Sequence, residues 1–264
     1  MAAPSWSPVV ELRRYTLHPG KREVLIDLFD RELIEPQEQA GMKVIGQFRD
    51  LDAPDTFTWL RGFPDMPKRA DSLAAFYDGP VWQAAQDRAN ATMVDSDDVL
   101  LLRPARPHSA FTLEGSRPLP GVDDGTWRGF VEATILHLEA PADQTGILSR
   151  FEREVAPVVA TAAGVRLLGY FVTEPSVNNF PRLPVREGER VLVWFAGFAD
   201  RPAFDRASRA GGVARGPAER LPGLKEAPRL LRLAPTARSL LTGLSPACSA
   251  MSSATARDRE DAGQ

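Results

Sequence analysis

The sequence predicts an α+β fold made of two tandem repeats of one strand-helix unit, and three observations predict it. Gly41-Met-Lys-Val-Ile-Gly46-Gln-Phe48 returns as Gly164-Val-Arg-Leu-Leu-Gly169-Tyr-Phe171. Trp59 and Phe63 ahead of Asp65-x-Pro67 return as Trp194 and Phe198 ahead of Asp200-x-Pro202. Around both copies the strand and helix signals follow one order, as duplication of a supersecondary unit requires, and two such units usually bury their open sheet faces against each other.

The elements follow in order. Val9 to Leu17 alternates until Pro19-Gly20 breaks it, which predicts a strand; Leu25, Leu28, Phe29 and Leu33 then recur at helical spacing, and Gly41 ends that helix. Val44 to Arg49 and Phe57 to Phe63 read as strands joined by a turn at Asp52 to Asp55. Helices are expected around Ala70 to Tyr77 and Pro80 to Met93, with Val99 to Arg103 as the closing strand. This order is the split βαβ or ferredoxin-like pattern. It restarts with a strand at Phe130 to Leu138, a helix marked by Ile147, Leu148, Phe151 and Val155, strands at Val165 to Val172 and Val191 to Phe198, a helix opened by Pro202, and a strand at Leu230 to Leu233. The expected division is a first repeat over residues 9–105, a linker over 106–127 rich in proline and glycine, a second repeat over 128–235, and a disordered tail over 236–264 with few large apolar residues.

Composition narrows the function classes. A net charge of −3 offers no basic field for nucleic acid, so no nucleic-acid partner is expected. Cys248 is the one cysteine, which excludes an intramolecular disulfide and a cysteine-built metal cluster. No apolar run reaches membrane-spanning length and no leader pattern is visible, so the expectation is a cytoplasmic protein without a membrane partner. No phosphate loop, nucleophile elbow or histidine pair at helical spacing occurs; the expectation is no metal and no cofactor.

Glu11-Leu-Arg13-Arg-Tyr15-Thr-Leu-His-Pro19-Gly20-Lys21, Gly41-Met-Lys43 and Asn178-Asn-Phe180-Pro-Arg182-Leu-Pro184-Val-Arg186-Glu-Gly188-Glu resemble the NIPSNAP family, over about Val9 to Ala234. The resemblance implies the dimeric α/β-barrel superfamily, in which two ferredoxin-like sheets close around a central cavity, within one chain or between two. That superfamily includes cofactor-free monooxygenases, lactone isomerases, polyketide cyclases and haem enzymes, so the fold alone selects no chemistry.

Candidate site residues come from strand alternation. Glu11, Arg13 and Tyr15 share one face and Leu12 the other; with the Leu12 face under the helices, the polar trio would point into the cavity, Glu11 and Tyr15 moving protons and Arg13 holding an anionic or enolisable ligand. A solvated strand face with cross-strand ion pairs is the plainer account. Trp59 and Arg61 share a face with Phe63 and could wall and orient a planar substrate, or simply pack. Glu132 is the repeat equivalent of Glu11, with Thr134 beside it. The long segment between two strands could present Asn178, Asn179, Arg182 and Arg186 to a ligand, or only cap one mouth of the barrel. His137 is the one histidine placed on a strand; alternation groups it with Val131, Ala133 and Ile135, the side expected under the helices. The resulting expectation is a small-molecule-binding barrel, acting as a cofactor-independent monooxygenase-, isomerase- or cyclase-like enzyme on a planar or carbonyl-bearing metabolite, with homo-oligomer formation open. The alternatives are a non-catalytic scaffold or interaction protein, which a barrel filled by side chains would favour, and a haem-binding barrel using His137.

Overall fold

The computed structural model describes residues 7–113, 116–121, 128–142 and 146–243. Eight strands form one closed antiparallel barrel within the single chain, in the order β1-β3-β2-β8-β5-β7-β6-β4. The first repeat supplies β1 (Val9–Leu17), β2 (Lys43–Asp50), β3 (Thr56–Phe63) and β4 (Met93–Pro104), and the second β5 (Phe130–His137), β6 (Val165–Thr173), β7 (Val191–Phe198) and β8 (Arg229–Pro235). The repeats meet at two seams of three residue pairs each, β2 with β8 and β4 with β6. Closure removes every sheet edge.

Helices cover the outer face of each half. In the first repeat α1 (Arg22–Leu28) runs through a π-turn, Phe29–Leu33, into α2 (Ile34–Gln39), and α3 (Met66–Tyr77) and α4 (Pro80–Asn90) follow β3. In the second, α5 (Ile147–Arg150), a π-turn at Phe151–Val155 and α6 (Ala156–Thr161) take the first crossover, and α7 (Arg201–Arg209) and α8 (Arg215–Glu219) the second. Repeated sequence marks repeated local physics. Asp65 and Asp200 cap α3 and α7, accepting from the Lys68 and Ala203 backbone N–H groups at 2.6 Å. Gly46 and Gly169 both sit at register shifts, in β2 and β6, where a Cβ would lie 2.6 Å from the Phe48 ring and 2.9 Å from the Ser109 carbonyl oxygen.

The barrel interior is hydrocarbon. Val10, Leu12 and Leu60 of the first repeat meet Ala133, Val193 and Phe195 of the second in one buried cluster. Phe111, from the segment between the repeats, joins it with its ring centroid 4.6 Å from Phe171 and 4.9 Å from Phe195. Two corrections follow. The middle of the barrel is filled by these side chains, and toward one mouth Leu12, Arg14, Leu100, Ile135 and His137 line a space of only about 10 Å³, in place of the ligand-sized central cavity that the resemblance implied. The faces are also inverted: the Leu12 row lines the interior, and Glu11, Arg13 and Tyr15 lie under the helices.

Over 236–243, the part of the expected 236–264 tail that is described, the chain after β8 is held against the barrel. Thr236, Arg238, Ser239 and Leu241 are buried. Thr236 and Leu241 donate from their backbone N–H groups to Gln47 and Ile45 of β2, and Arg238 is bound to Glu35 and to the Asp30 and Pro118 carbonyls. Arg238 and these backbone bonds replace the large apolar residues whose scarcity suggested disorder. Residues 244–264 lie outside the described residues, as do 114–115 and 122–127 of the expected linker. Among the described residues no helix is long and apolar enough to cross a membrane.

Candidate functional site

β1 and β3 pair with Glu11 opposite Arg61 and Arg13 opposite Trp59. Strand alternation turns all four side chains outward, beneath α2 and α3. The Glu11 carboxylate is fully buried and accepts from Arg13 Nη1 at 2.8 Å, Arg61 Nε at 2.7 Å and Arg69 Nε at 2.7 Å. Arg69 comes from α3, one turn after its Asp65 cap. Its Nη2 also lies 2.7 Å from Glu11 Oε1, yet off-line for a second hydrogen bond. Three buried guanidinium groups thus surround one buried carboxylate, an excess of two positive charges in this layer. Burying an unmatched charge costs several kcal/mol, so so large an excess is unusual in a purely structural core.

The second row of contacts is polar and aromatic. Arg61 Nη1 reaches Gln37 Oε1 of α2 and the Tyr77 hydroxyl of α3, both at 3.4 Å. Arg13 Nε donates to the Tyr15 hydroxyl oxygen at 2.9 Å, which leaves the phenolic hydrogen to point elsewhere. Trp59 lies edge-on to Tyr15 and to Phe29 of the π-turn, with the Arg61 guanidinium carbon 5.1 Å from its ring centre. Arg61 Nη2 and the Trp59 indole N–H are buried donors with no acceptor among the described residues. Trp59 also lines a cavity of about 20 Å³, together with Tyr15, Gln37, Tyr77 and Trp82; none of the three arginines borders it.

These contacts fix the protonation states. Burial alone would raise the Glu11 carboxyl, but Arg61, Arg13 and Arg69 together outweigh it and hold the group well below the usual carboxylate range. Burial raises the Tyr15 phenol against the opposing pull of Arg13, so it stays protonated. Glu11 therefore serves as a fixed negative charge that orients guanidinium groups, and the proton-moving role expected for it does not fit this environment. The arrangement can hold a negative charge and donate hydrogen bonds to it.

Other expected site residues divide. Asn178 and Asn179, in the β6–β7 connection, reach across from the second repeat: their side-chain oxygens accept from Arg69 Nη1 at 3.1 and 2.7 Å. Phe180 from the same loop packs against Tyr77. Arg182 and Arg186 do not join the cluster. Arg182 is exposed and paired with Asp78, and Arg186 bonds Asp98 and Glu189 at the rim. Glu132 occupies the matching layer of the second repeat with no ion pair among the described residues. Its Oε1 accepts from the Val213 N–H at 3.0 Å, its Oε2 is buried without a partner among the described residues, and burial pushes its pKa up. Its setting explains the difference: Thr134, Ala196 and Phe204 stand where the first repeat has Arg13, Arg61 and Arg69.

Alternation alone missed Gln37, Arg69 and Tyr77, which come from helices. A signal for Arg69 was present. It stands four residues after the Asp65 cap, the core-facing slot that Phe204 fills after Asp200. His137 is a further correction, since it lies on the inner row at the barrel mouth. Its Nδ1 is 2.6 Å from Glu226 Oε1 and the adjoining space is about 10 Å³, which does not fit a haem.

Comparison with known proteins agrees with this architecture. A candidate monooxygenase from Lactobacillus acidophilus NCFM superposes with a TM-score of 0.52 at 14% identity, over 87% of this chain and 94% of that one. An anthrone oxidase-like protein superposes with a TM-score of 0.54 at 14% identity, over 90% and 95%. At such identity these likenesses show the fold alone. A NIPSNAP family protein from Agrobacterium tumefaciens is 24% identical over 38% of this chain and 94% of its own, with a TM-score of 0.35. No curated protein matches the chain. Residues 10–107 match the NIPSNAP family, a span that ends before the Asn178–Glu189 segment on which the resemblance partly leaned. The NIPSNAP match thus falls on the first repeat, and the matched span includes Glu11 and its three arginines.

Proposed function

We propose that the first repeat binds a small planar metabolite that is an anion or becomes one, a carboxylate, phenolate or enolate, in the layer between its sheet and helices. The observation that carries this reading is the excess of two buried positive charges around Glu11, next to buried donors on Arg61 and Trp59. Arg13 and Arg61 would hold the charge, Tyr15 would donate its phenolic hydrogen, Glu11 and the Asn178–Asn179 pair would keep the guanidinium groups oriented, and Trp59 would wall the ring. The cavity beside Trp59, about 20 Å³, admits little more than one water-sized group and is not lined by Arg13 or Arg61, so a ring reaches those arginines only as the half-buried Tyr77 and Trp82 move.

The same geometry limits the chemistry. Glu11 is saturated by arginines and Tyr15 keeps its proton, so neither takes a proton from carbon near neutral pH. Acidity instead develops on the bound molecule, because the arginine field favours its ionised form. That suits a cofactor-independent enzyme of the oxygenase, isomerase or cyclase kind working through an enolate or phenolate. The oxygenase version takes its reaction class from the fold neighbours and its residues from this site. A non-catalytic scaffold is the second reading, and the hydrocarbon-filled barrel favours it.

Calorimetric titration separates the two. Benzoate and the enolate of acetylacetone are expected to bind wild type, the neutral isostere benzamide to bind at least tenfold more weakly, and Arg61→Met to abolish the preference. Equal affinity for benzoate and benzamide, or no binding of either anion, removes the ligand reading and leaves the scaffold.

A further inference from the structure

The connection between β6 and β7 spans 174–190, whereas the matching turn between β2 and β3 in the first repeat is only 51–55. The fold closes the β2–β3 hairpin with the short turn, so the longer one is not needed to make the hairpin. Its added length folds over the β4–β6 seam, where strand pairing is limited to Leu102–Pro104 with Phe171–Thr173. There it borders a half-open cavity of about 420 Å³, within the ~300–1,000 Å³ range of small-molecule sites.

The lining states the chemistry. Leu101, Val172, Val185 and Pro175 give apolar walls, and Val177, 78% exposed, sets hydrocarbon at the margin. The charged lining residues are Arg103, Arg186 and Arg190 against Glu174, Glu187 and Glu189, which sum to zero. They are engaged within the protein. Arg186 bonds Asp98 and Glu189, Glu174 accepts from the Ser176 N–H and hydroxyl, Glu187 accepts from the Asn178 N–H, and Arg190 donates to the Glu139 carbonyl. The cavity thus offers apolar area beside lining charges that sum to zero, whereas the arginine cluster carries an excess of positive charge.

We propose that this cavity is a second ligand site, for an uncharged small molecule with an apolar body. The two sites share one loop. Val177 and Val185 face the cavity, while Asn178 and Asn179 between them hold Arg69, so an occupant that shifts the loop acts on the Arg69 end of the Glu11 cluster.

The test is fluorescence titration with the uncharged dye N-phenyl-1-naphthylamine, run beside benzoate calorimetry on the full chain. Saturable one-to-one dye binding to wild type is expected. Val185→Trp, which fills the cavity, and Val177→Asp, which charges its margin at an exposed position, should each weaken it at least tenfold with unchanged thermal midpoints. Arg61→Met should leave it within twofold. Absence of saturable binding overturns the proposal, as does wild-type affinity in both cavity variants or loss of dye binding in Arg61→Met alone. Dye binding without benzoate binding sustains this site and rejects the anion reading of the other.

Discussion

Arg69 donates to Glu11 at 2.7 Å, joining α3 to β1 across 58 residues of chain. In the second repeat the glutamate persists as Glu132 while the arginine slot holds Phe204. One fold therefore carries two different sheet–helix layers, one with three arginines around its glutamate and one whose glutamate has uncharged neighbours in the matching slots, and the predictions below follow from that difference.

Removing the carboxylate should cost more than removing one of its partners. Glu11→Gln leaves three buried guanidinium groups with no counter-charge, and the expected loss is ~3–5 kcal/mol in urea unfolding. Arg61→Met reduces the excess charge and keeps apolar volume, so its cost should be clearly smaller. A Glu11→Gln variant as stable as Arg61→Met would show that the carboxylate does not organise the cluster.

The two glutamates should affect stability with opposite pH signs. The folded pKa of Glu11 is depressed, so its contribution is present above its unfolded value of about 4.5 and is lost as pH falls toward the folded value. That of Glu132 is raised, so its contribution is full below about 4.5 and is lost as pH rises through the folded value. Glu132→Gln should therefore raise the melting temperature at pH 8 by about 2–4 °C, the effect of ~1 kcal/mol in a chain of this size, and gain little at pH 4. A larger gain at pH 4 than at pH 8 would reverse the assigned sign.

The loop from the second repeat should depend on its grip on Arg69. Asn179→Ala removes an acceptor from a buried guanidinium, a loss of ~1.5–3 kcal/mol for a charged hydrogen bond. Limited proteolysis should then cut within 174–190 at least severalfold faster than in wild type. An unchanged cleavage rate would mean that Phe180 and Leu183, packed on the helix-side core, hold the loop by themselves.

Much of this architecture was legible in the sequence because the repeat carries its own controls. Gly46 and Gly169 mark the same register shift, and Asp65 and Asp200 cap the same helix. The face of β1 was not legible. Alternation grouped Glu11, Arg13 and Tyr15 correctly, but both faces of the strand are largely buried, so no polar side pointed to solvent and hydrophobicity could not say which row met the helices. Gln37 and Tyr77 escaped because their role depends on how α2 and α3 seat on the sheet, a long-range property. The order of the segment after β8 escaped because Arg238 anchors it through carbonyl oxygens and Glu35, which composition does not register.

Ionisation of a bound phenol tests the central claim most directly. p-Nitrophenol absorbs visibly only as phenolate, so a pH titration at saturating protein reads the electrostatic field at the site. Two excess buried positive charges predict a bound pKa at least about one unit below that of the free phenol, equivalent to ~1.4 kcal/mol, and predict that Arg61→Met diminishes the shift. A bound phenol whose ionisation is unchanged or raised would contradict the account.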